Sequence, residues 1–342
     1  MIKAGKCWVI FSLILSLTLA SCEGPSLTPM ASAPIRNTAT KVLTPEKTPS
    51  PSQSPAPTMV PSGTPTMAEI ELSFSDQIDC GEGFCQALFP GELIRPISGE
   101  FRDQIDLTYP YGSTKAGTLD VHHGVEFPNA FGTPVRAVSD GEVSFAGVDD
   151  LTLLGPYTGF YGNVVILRHP EAYLGRDLFS LYAHLSEVNV DEGDAITEGQ
   201  VLGIVGASGA ADGSHLHFEL RIDENRYDKT VNPLLWFTPA FNQNGKQSAA
   251  LAGEIVDSSG RPLSAFEFVL EEQGVDASKA KRFYPVTYVS YSVNAHPDLD
   301  ENFVLPDIPP GNYRLAFIAG RLYEFTFALT PGSLGFIQIQ LD

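Results

Sequence analysis

The stretch V-H-H-G-V-E-F, residues 121–127, places two histidines and a carboxylate within five positions, in a chain with seven histidines. Residues four apart share a face of an extended strand, so His122 and Glu126 would point together and His123 away. Gly124 lies between them and leaves room for another group to approach. The spacing therefore predicts a paired imidazole and carboxylate on one surface.

Two further stretches supply histidines that could join this pair. In G-S-H-L-H-F-E-L, His215 and His217 fall on one face of a strand, and L-Y-A-H-L-S adds His184. Each stretch taken singly is more often structural than functional. Together, in one β domain, they predict four histidines and one carboxylate converging from three strands.

Neutral imidazoles with a carboxylate are typical zinc ligands. Three protein ligands and an open fourth position would make such a site catalytic. Histidines left over from metal binding could accept a proton or stabilise an oxyanion.

The elements that would position these residues are short strands. From about residue 93 to 237 the chain alternates β-branched and aromatic runs of four to eight residues with glycine-rich turns. No long stretch follows a 3.6-residue period. The sequence predicts an all-β domain, with at most a short helical turn.

The order of the motifs resembles that of the lysostaphin/LytM-type zinc endopeptidases over about residues 93–240. The matching stretches are H-x-G-x-E, G-T-P-V-R-A, Y-G-N-V-V-I-L-R-H, L-Y-A-H-L-S, G-Q-V-L-G-I-V-G and G-S-H-L-H-F-E-L. The resemblance implies a mostly antiparallel β-sheet that lines a groove. It also implies a zinc-dependent endopeptidase acting on bacterial peptidoglycan, with one zinc ion per chain. It implies His122, Glu126 and His217 as metal ligands and His184 and His215 as catalytic histidines.

One position departs from the family pattern H-x-G-x-D, because Glu126 stands where aspartate is expected. Glutamate binds zinc, but its extra methylene requires the metal to shift or the side chain to fold back, so metal binding should survive more readily than full activity. The alternatives are a non-catalytic domain that binds wall peptides or regulates an amidase, or a β-structured spacer. Glu219 would either bond a ligand histidine or form a solvent-facing salt bridge.

The remaining three histidines lack an assigned role. His123 is expected to be an exposed rim residue or a donor to substrate. His169 follows a strand without an evident partner, and His296 is expected to be exposed.

A second β region is expected at residues 248–342, after a polar linker. Its pattern F-x-L-x-x-I-P-P-G-x-Y-x-L resembles prealbumin-like sandwiches such as carboxypeptidase regulatory-like domains. No histidine cluster or carboxylate pair stands out there, so we interpret this region as a spacer or binding module.

The N-terminus has the features of an export signal over residues 1–21. Lys3 and Lys6 precede an apolar run that ends in L-A-S-C. This ending resembles the lipobox of bacterial lipoproteins, which implies a lipid on Cys22 and a membrane-anchored, extracytoplasmic protein. The alternative is a plain secretory signal. Residues 22–68 are rich in Pro, Ser and Thr and predict a disordered linker.

A lead-in segment, residues 69–92, holds Cys80 and Cys85, the two cysteines outside the signal. In an oxidising compartment they predict a small disulfide, since a zinc site normally needs four ligands. The formal net charge of −20 argues against nucleic acid as a partner. The sequence does not indicate an oligomeric state.

Overall fold

The computed structural model describes residues 79–81, 83–89, 91–241, 245–289 and 293–342. The described residues form eighteen strands and two 3-10 turns, Tyr227–Lys229 and Pro233–Leu235. The predicted all-β class is confirmed. Within these residues, no helix is both long and apolar enough to span a membrane.

The first folded region contains a nine-stranded sheet. Its members are β3 (Val125–Pro128), β4 (Pro134–Arg136), β5 (Gly141–Val148), β6 (Asn163–Tyr173), β7 (Arg176–Val188), β8 (Ala195–Ile196), β9 (Val201–Val205), β10 (His215–Ile222) and β11 (Thr230–Val231). The main order is β11-β10-β7-β6-β5-β8, with β3 paired to β10 and β9 paired to both β7 and β4. All these pairs are antiparallel.

The central strands β6 and β7 are apolar on both faces, so the sheet separates two cores. Val165 and Tyr182 pack into the larger core, while Val164 and Leu181 pack into the smaller one. A strand buried on both faces needs apolar residues at consecutive positions, and V-V-I-L in β6 meets that need. The strands that carry the candidate site are therefore rigidly held.

The second region consists of two facing sheets. The first has the order β1-β2-β18-β12-β15 and contains β1 (Asp79–Gly81), β2 (Phe84–Leu88), β12 (Ala249–Val256), β15 (Phe303–Ile308) and β18 (Ser333–Gln340). The other has the order β14-β13-β16-β17 and contains β13 (Val269–Gln273), β14 (Arg282–Phe283), β16 (Gly311–Ala319) and β17 (Arg321–Leu329). A buried apolar cluster joins residues of both sheets. We call residues 248–342 the C-terminal module; its likeness to prealbumin-like sandwiches stays a prediction.

The lead-in segment contributes two strands to this module. β2 pairs with β18, and β1 pairs with β2 in a short hairpin. Cys80 and Cys85 are directly opposite in that register. The disulfide between them stays a prediction, and Cys22 lies outside the described residues.

The apolar core continues from the first region into the C-terminal module. One cluster contains Phe127 and Trp236 together with Tyr288, Val304 and Leu334. The ion pair between Arg95 and Asp307, 2.7 Å long, also joins the two regions. The module is therefore packed against the nine-stranded sheet and does not hang from it by a free linker.

Candidate metal centre

Strand β10 carries a row of ionisable side chains on one face. The row is His215, His217, Glu219 and Arg221, and the alternating residues Leu216, Phe218, Leu220 and Ile222 are buried in apolar surroundings. This period of two follows from the pleat of a strand. The row is itself largely buried, and Glu219 and Arg221 are fully inaccessible. Ionisable groups so placed need partners, because an unpaired buried charge is costly.

Three candidate ligand atoms converge at His217, the second member of this row. Nε2 of His122 lies 3.1 Å from Oε1 of Glu126 and 3.3 Å from Nδ1 of His217. Nδ1 of His217 lies 3.1 Å from the same Glu126 oxygen. Tetrahedral zinc with bonds of about 2.0–2.1 Å needs ligand atoms about 3.3 Å apart. The triangle therefore has the right size for zinc, and the longer side chain of Glu126 reaches its corner.

Both imidazoles are held in the tautomer that a metal needs. His122 Nδ1 donates to the carbonyl of Tyr109 at 2.7 Å, and the two rings stack with centroids 4.0 Å apart. His217 Nε2 donates to Oε1 of Glu219 at 3.1 Å. Each ring thus turns its other nitrogen toward the common point, where a bound metal ion would replace the proton on that nitrogen. Such hydrogen bonds orient metal-ligating histidines and raise their basicity.

Glu219 is the centre of a buried network behind His217. Its other oxygen accepts two bonds from the Arg221 guanidinium, at 2.7 and 2.9 Å, and Tyr161 donates its hydroxyl to Oε1. The predicted bond between Glu219 and a histidine is present, and the solvent-facing alternative is wrong. The network also reaches the loop before β6, because Arg221 donates to the carbonyl of Leu154.

His184 and His215 flank the candidate ligands. Their ring centroids are 4.9 Å apart, and His184 is 5.6 Å from His217. His184 Nδ1 donates to the carbonyl of Ser208 at 2.8 Å. His215 Nδ1 hydrogen-bonds the Gly213 carbonyl at 3.0 Å, and its Nε2 lies 3.0 Å from Oε2 of Glu126. The two rings therefore differ in their surroundings for proton transfer. Nε2 of His184 is free to accept a proton, whereas Nε2 of His215 faces a carboxylate oxygen.

The backbone of His184 lies in the left-handed region, with φ of 60°. Non-glycine residues adopt this conformation rarely, and strain of this kind concentrates at functional sites. It coincides with a register shift in the pairing of β7 with β6, between Tyr182 and Leu185. The irregularity sets the direction in which the imidazole leaves the strand.

Carboxylates dominate the electrostatics of the cluster. Burial lowers the pKa of His217, but the facing carboxylates of Glu126 and Glu219 outweigh burial and raise it to about 9. Burial raises the pKa of Glu219, but Arg221 and His217 bring it down to about 2. Burial is the largest cause that lowers the pKa of His184, which falls to about 4. The space between Glu126 and His217 thus favours positive charge.

A groove of about 650 Å³ opens above these residues. Aromatic side chains line its walls, and three aspartates and one lysine lie among its lining residues; they are Tyr109, Tyr157, Phe160, Tyr227, Asp106, Asp120, Asp212 and Lys115. A groove of this size, with convergent polar groups at its floor, is typical of a ligand site. The five predicted site residues all line it.

The expectations for the other histidines were wrong. His123 is buried, stacks on Tyr227, and hydrogen-bonds the Thr230 hydroxyl at 2.9 Å. His169 lies within β6, buried, between the Asp140 carbonyl at 2.6 Å and the Ser180 hydroxyl at 2.8 Å.

His296 is also buried, against the rings of Tyr173 and Trp236. Its partners, like those of His123 and His169, come from distant parts of the chain, so neighbouring residues could not predict them.

Comparison with known proteins identifies the region that holds the cluster. Residues 120–233 match the model of Peptidase family M23. The chain contains a peptidase family M23 domain. The resemblance to lysostaphin/LytM-type peptidases is thereby confirmed.

Curated relatives of the M23 domain include proteins named as carboxypeptidases or endopeptidases. DD-carboxypeptidase/endopeptidase Mpg of Neisseria meningitidis serogroup B is 35% identical over 137 residues, 40% of this chain and 27% of that protein. Peptidoglycan DD-endopeptidase ShyA of Vibrio cholerae is 36% identical over 99 residues, 29% of this chain and 20% of that protein. The chain thus spans 27% or less of the length of these two relatives.

Solved structures similar to the M23 domain include the catalytic domain of lysostaphin from Staphylococcus simulans. It has 30% identity and a TM-score of 0.30, covering 37% of this chain and 83% of that one. A zinc-containing peptidase from Vibrio cholerae has 27% identity and a TM-score of 0.32, covering 40% of this chain and 38% of that one.

Proposed function

We propose that the M23 domain is a zinc-dependent endopeptidase that cleaves peptide bonds in bacterial peptidoglycan. The observation that carries the proposal is the triangle of ligand atoms on His122, Glu126 and His217, with sides of 3.1, 3.1 and 3.3 Å. These three residues would hold one zinc ion. The names of the curated relatives support peptidoglycan as the substrate class.

A zinc ion bound there would supply Lewis-acid chemistry toward a peptide carbonyl. The chain's own residues would bind and orient the peptide and handle its protons. The groove walls of Tyr109 and Tyr227 would hold the substrate backbone beside Glu126. Orientation of this kind contributes strongly to rate, because it replaces a random encounter.

His184 and His215 would divide the proton transfers. His184 donates through Nδ1 to Ser208, which leaves the lone pair of Nε2 available to accept a proton. Both nitrogens of His215 face acceptors, so this ring is suited to carry two protons and to donate toward developing negative charge. Glu219 and Arg221 would keep His217 in its ligating tautomer.

The decisive experiment measures zinc per chain and the release of peptides from purified peptidoglycan. We expect about one zinc per chain and cleavage that a chelator abolishes. His217→Ala should lose both. His169→Ala is the matched control, since it removes another buried imidazole with two hydrogen bonds outside the cluster. Cleavage that persists in His217→Ala would contradict the proposal.

The alternative is a zinc-binding module that recognises wall peptides or regulates an amidase without cutting. The observation that favours it is Glu126, the one position at which the site departs from the family pattern. The same experiment separates the two, because a full complement of zinc without any peptide release would support the binding module.

We further propose that the protein is held at the outer face of the cell membrane by a lipid on Cys22. The support is the sequence of residues 1–22, with its basic start, apolar run and L-A-S-C ending. Lipid attachment would bring the groove to the cell wall. Cys22→Ser should move the protein from the membrane fraction to the soluble fraction; an unchanged distribution would argue against the anchor.

A further inference from the structure

The candidate ligand His122 lies on irregular chain, unlike His217 in the middle of a sheet. The described residues from Leu93 to Gly124 form no regular strand before β3 begins at Val125. His122 lies three residues before that strand. Its position therefore depends on whatever holds the neighbouring turns. An imidazole displaced by about 1 Å would weaken a metal site considerably.

The turn at residues 109–113 holds His122 at three points. The carbonyl of Tyr109 accepts from the ring, as described above. Gly112 donates its backbone N–H to the His122 carbonyl at 2.8 Å, and His122 donates its own to the Ser113 carbonyl at 2.9 Å. We call residues 109–113 the cradle. The cradle sets both the backbone and the ring of the ligand.

The C-terminal module also contacts the cradle. Val289 donates its backbone N–H to the Gly112 carbonyl at 2.8 Å. The Tyr111 hydroxyl lies 3.0 Å from the carbonyl of Asn294 and 3.1 Å from its backbone nitrogen. The Tyr111 and Tyr288 rings meet edge to face with centroids 5.4 Å apart. The three module residues are Tyr288, Val289 and Asn294.

Gly112 shows how closely the two parts fit. A Cβ added there would lie 2.4 Å from Cδ1 of Tyr288, far inside contact distance, and the backbone has φ of +75°. Tyr288 cannot easily move away, because its hydroxyl bonds Oε1 of the buried Glu301 at 2.9 Å and accepts from Asn232 at 2.8 Å. The Tyr288 ring is thus held firmly against Gly112 of the cradle.

Asn294 also bonds the residues that follow Tyr227, a side chain that lines the groove. Its side-chain amide donates to the carbonyls of Asp228 at 3.0 Å and Thr230 at 2.8 Å. Tyr111 donates its hydroxyl to the same Thr230 carbonyl at 2.8 Å. Next to these residues, Tyr227 stacks on His123. Asn294 therefore joins the cradle to the segment that carries Tyr227, which lines the groove.

We propose that the C-terminal module contributes to the geometry of the peptidase site. Its Tyr288 and Asn294 are positioning residues that hold the cradle and, through the cradle, His122. The inference rests on the proposed function, because it takes His122 as a zinc ligand. It differs from the expectation of a spacer or separate binding module. Zinc affinity and turnover then depend on residues about 170 positions away from the ligand they position.

The test uses two glycines of the same region in the full chain. Gly112→Ala drives a methyl group into Tyr288, whereas Gly117→Ala, at φ of +78° and with nothing within 4 Å of the added carbon, imposes similar backbone strain without the collision. Zinc affinity is measured by competition with a chelator, alongside kcat, KM and thermal unfolding. We expect Gly112→Ala to bind zinc about ten- to a hundredfold more weakly than Gly117→Ala. At saturating zinc, its kcat should fall while KM changes less than about twofold.

Tyr111→Phe provides a second variant that keeps the ring and removes only the hydroxyl. We expect its zinc affinity to fall about fivefold, the effect of losing one net hydrogen bond. If Gly112→Ala does not fold, this variant decides: zinc affinity equal to that of the wild type overturns the proposal.

The outcomes also separate this inference from the proposed function. A wild-type chain that binds zinc and cleaves, with Gly112→Ala matching Gly117→Ala in affinity and kcat, overturns the positioning role and leaves the peptidase intact. A wild-type chain that binds no zinc and cleaves nothing overturns the proposed function itself, and the positioning role with it.

Discussion

Ionisable side chains form rows in two parts of the molecule, in opposite surroundings. In the M23 domain the row runs along β10 and is buried at the floor of the groove. In the C-terminal module the row crosses the outer sheet from strand to strand. Arg282, Glu271 and Arg314 are directly opposite one another in the register of β14, β13 and β16. Glu324 of β17 is opposite Ala316 and pairs diagonally with Arg314.

The outer row consists of ordinary surface ion pairs. Glu271 lies 2.6 Å from Arg282 and 2.9 Å from Arg314, and the two arginine side chains are 48% and 38% exposed. Pairs of this kind contribute about 0–1 kcal/mol each, because water and salt screen them. The buried row differs in that each member depends on its neighbour. A row of ionisable side chains thus lies on a solvated surface in one sheet and at the candidate metal centre in the other.

The largest expected effect comes from breaking the buried row. Arg221→Met leaves the carboxylate of Glu219 buried without its cation, which should lower the free energy of unfolding by about 3–5 kcal/mol. Chemical denaturation measures the change. The double variant Glu219→Gln with Arg221→Met should regain much of the loss. If Arg221→Met alone lowers the free energy of unfolding by less than about 1 kcal/mol, the Glu219–Arg221 pair contributes no more than a surface ion pair.

Glu301 sharpens the comparison, because it is a buried carboxyl whose hydrogen-bond partners are neutral. Tyr288 and the backbone N–H of His296 donate to it. Burial raises its pKa to about 8 from an ordinary 4.5. The folded state therefore holds a proton that the unfolded state releases above pH 4.5, so this contribution to stability is lost as pH rises toward and through 8.

We expect wild type to lose about 1–2 kcal/mol more stability than Glu301→Gln between pH 6.5 and 8.5. Denaturation curves at the two pH values measure the difference, and the variant cancels the titration of every other group. Parallel pH profiles for the two proteins would contradict a raised pKa.

Glu126→Asp tests whether the metal centre is built around the longer side chain. The carboxylate oxygen already lies 3.1 Å from both imidazole nitrogens. Removing a methylene should draw it away and weaken zinc binding about tenfold. Chelator competition gives the affinity. Tighter binding together with faster cleavage by the aspartate variant would show that Glu126 detunes the site.

The smallest effect is expected in the outer row. Arg314→Ala should change the free energy of unfolding by less than about 1 kcal/mol, and high salt should reduce the difference further. Denaturation at low and high salt measures both. A salt-independent loss of several kcal/mol, like that expected for Arg221→Met, would show that exposure does not distinguish the two rows.

The site was predictable where it depends on strand periodicity. His215 and His217 two apart, and Glu219 on the same face, follow from the pleat, and the structure brings all three together with His122 and Glu126. The tertiary partners were not predictable. Burial of His123 by Tyr227 and of His169 beside Ser180 depends on segments that meet only after folding.

The sequence by itself determined the all-β class, the period-two row of β10 and the set of ligand types, because these depend on residues close together in the chain. Tertiary structure alone decided that Glu126 reaches the corner of the ligand triangle and that Arg221 neutralises Glu219. It also decided that Tyr288, Val289 and Asn294 contact the cradle that holds His122. These features arise because folding places groups far apart in sequence within hydrogen-bond distance, and burial then makes each depend on the other.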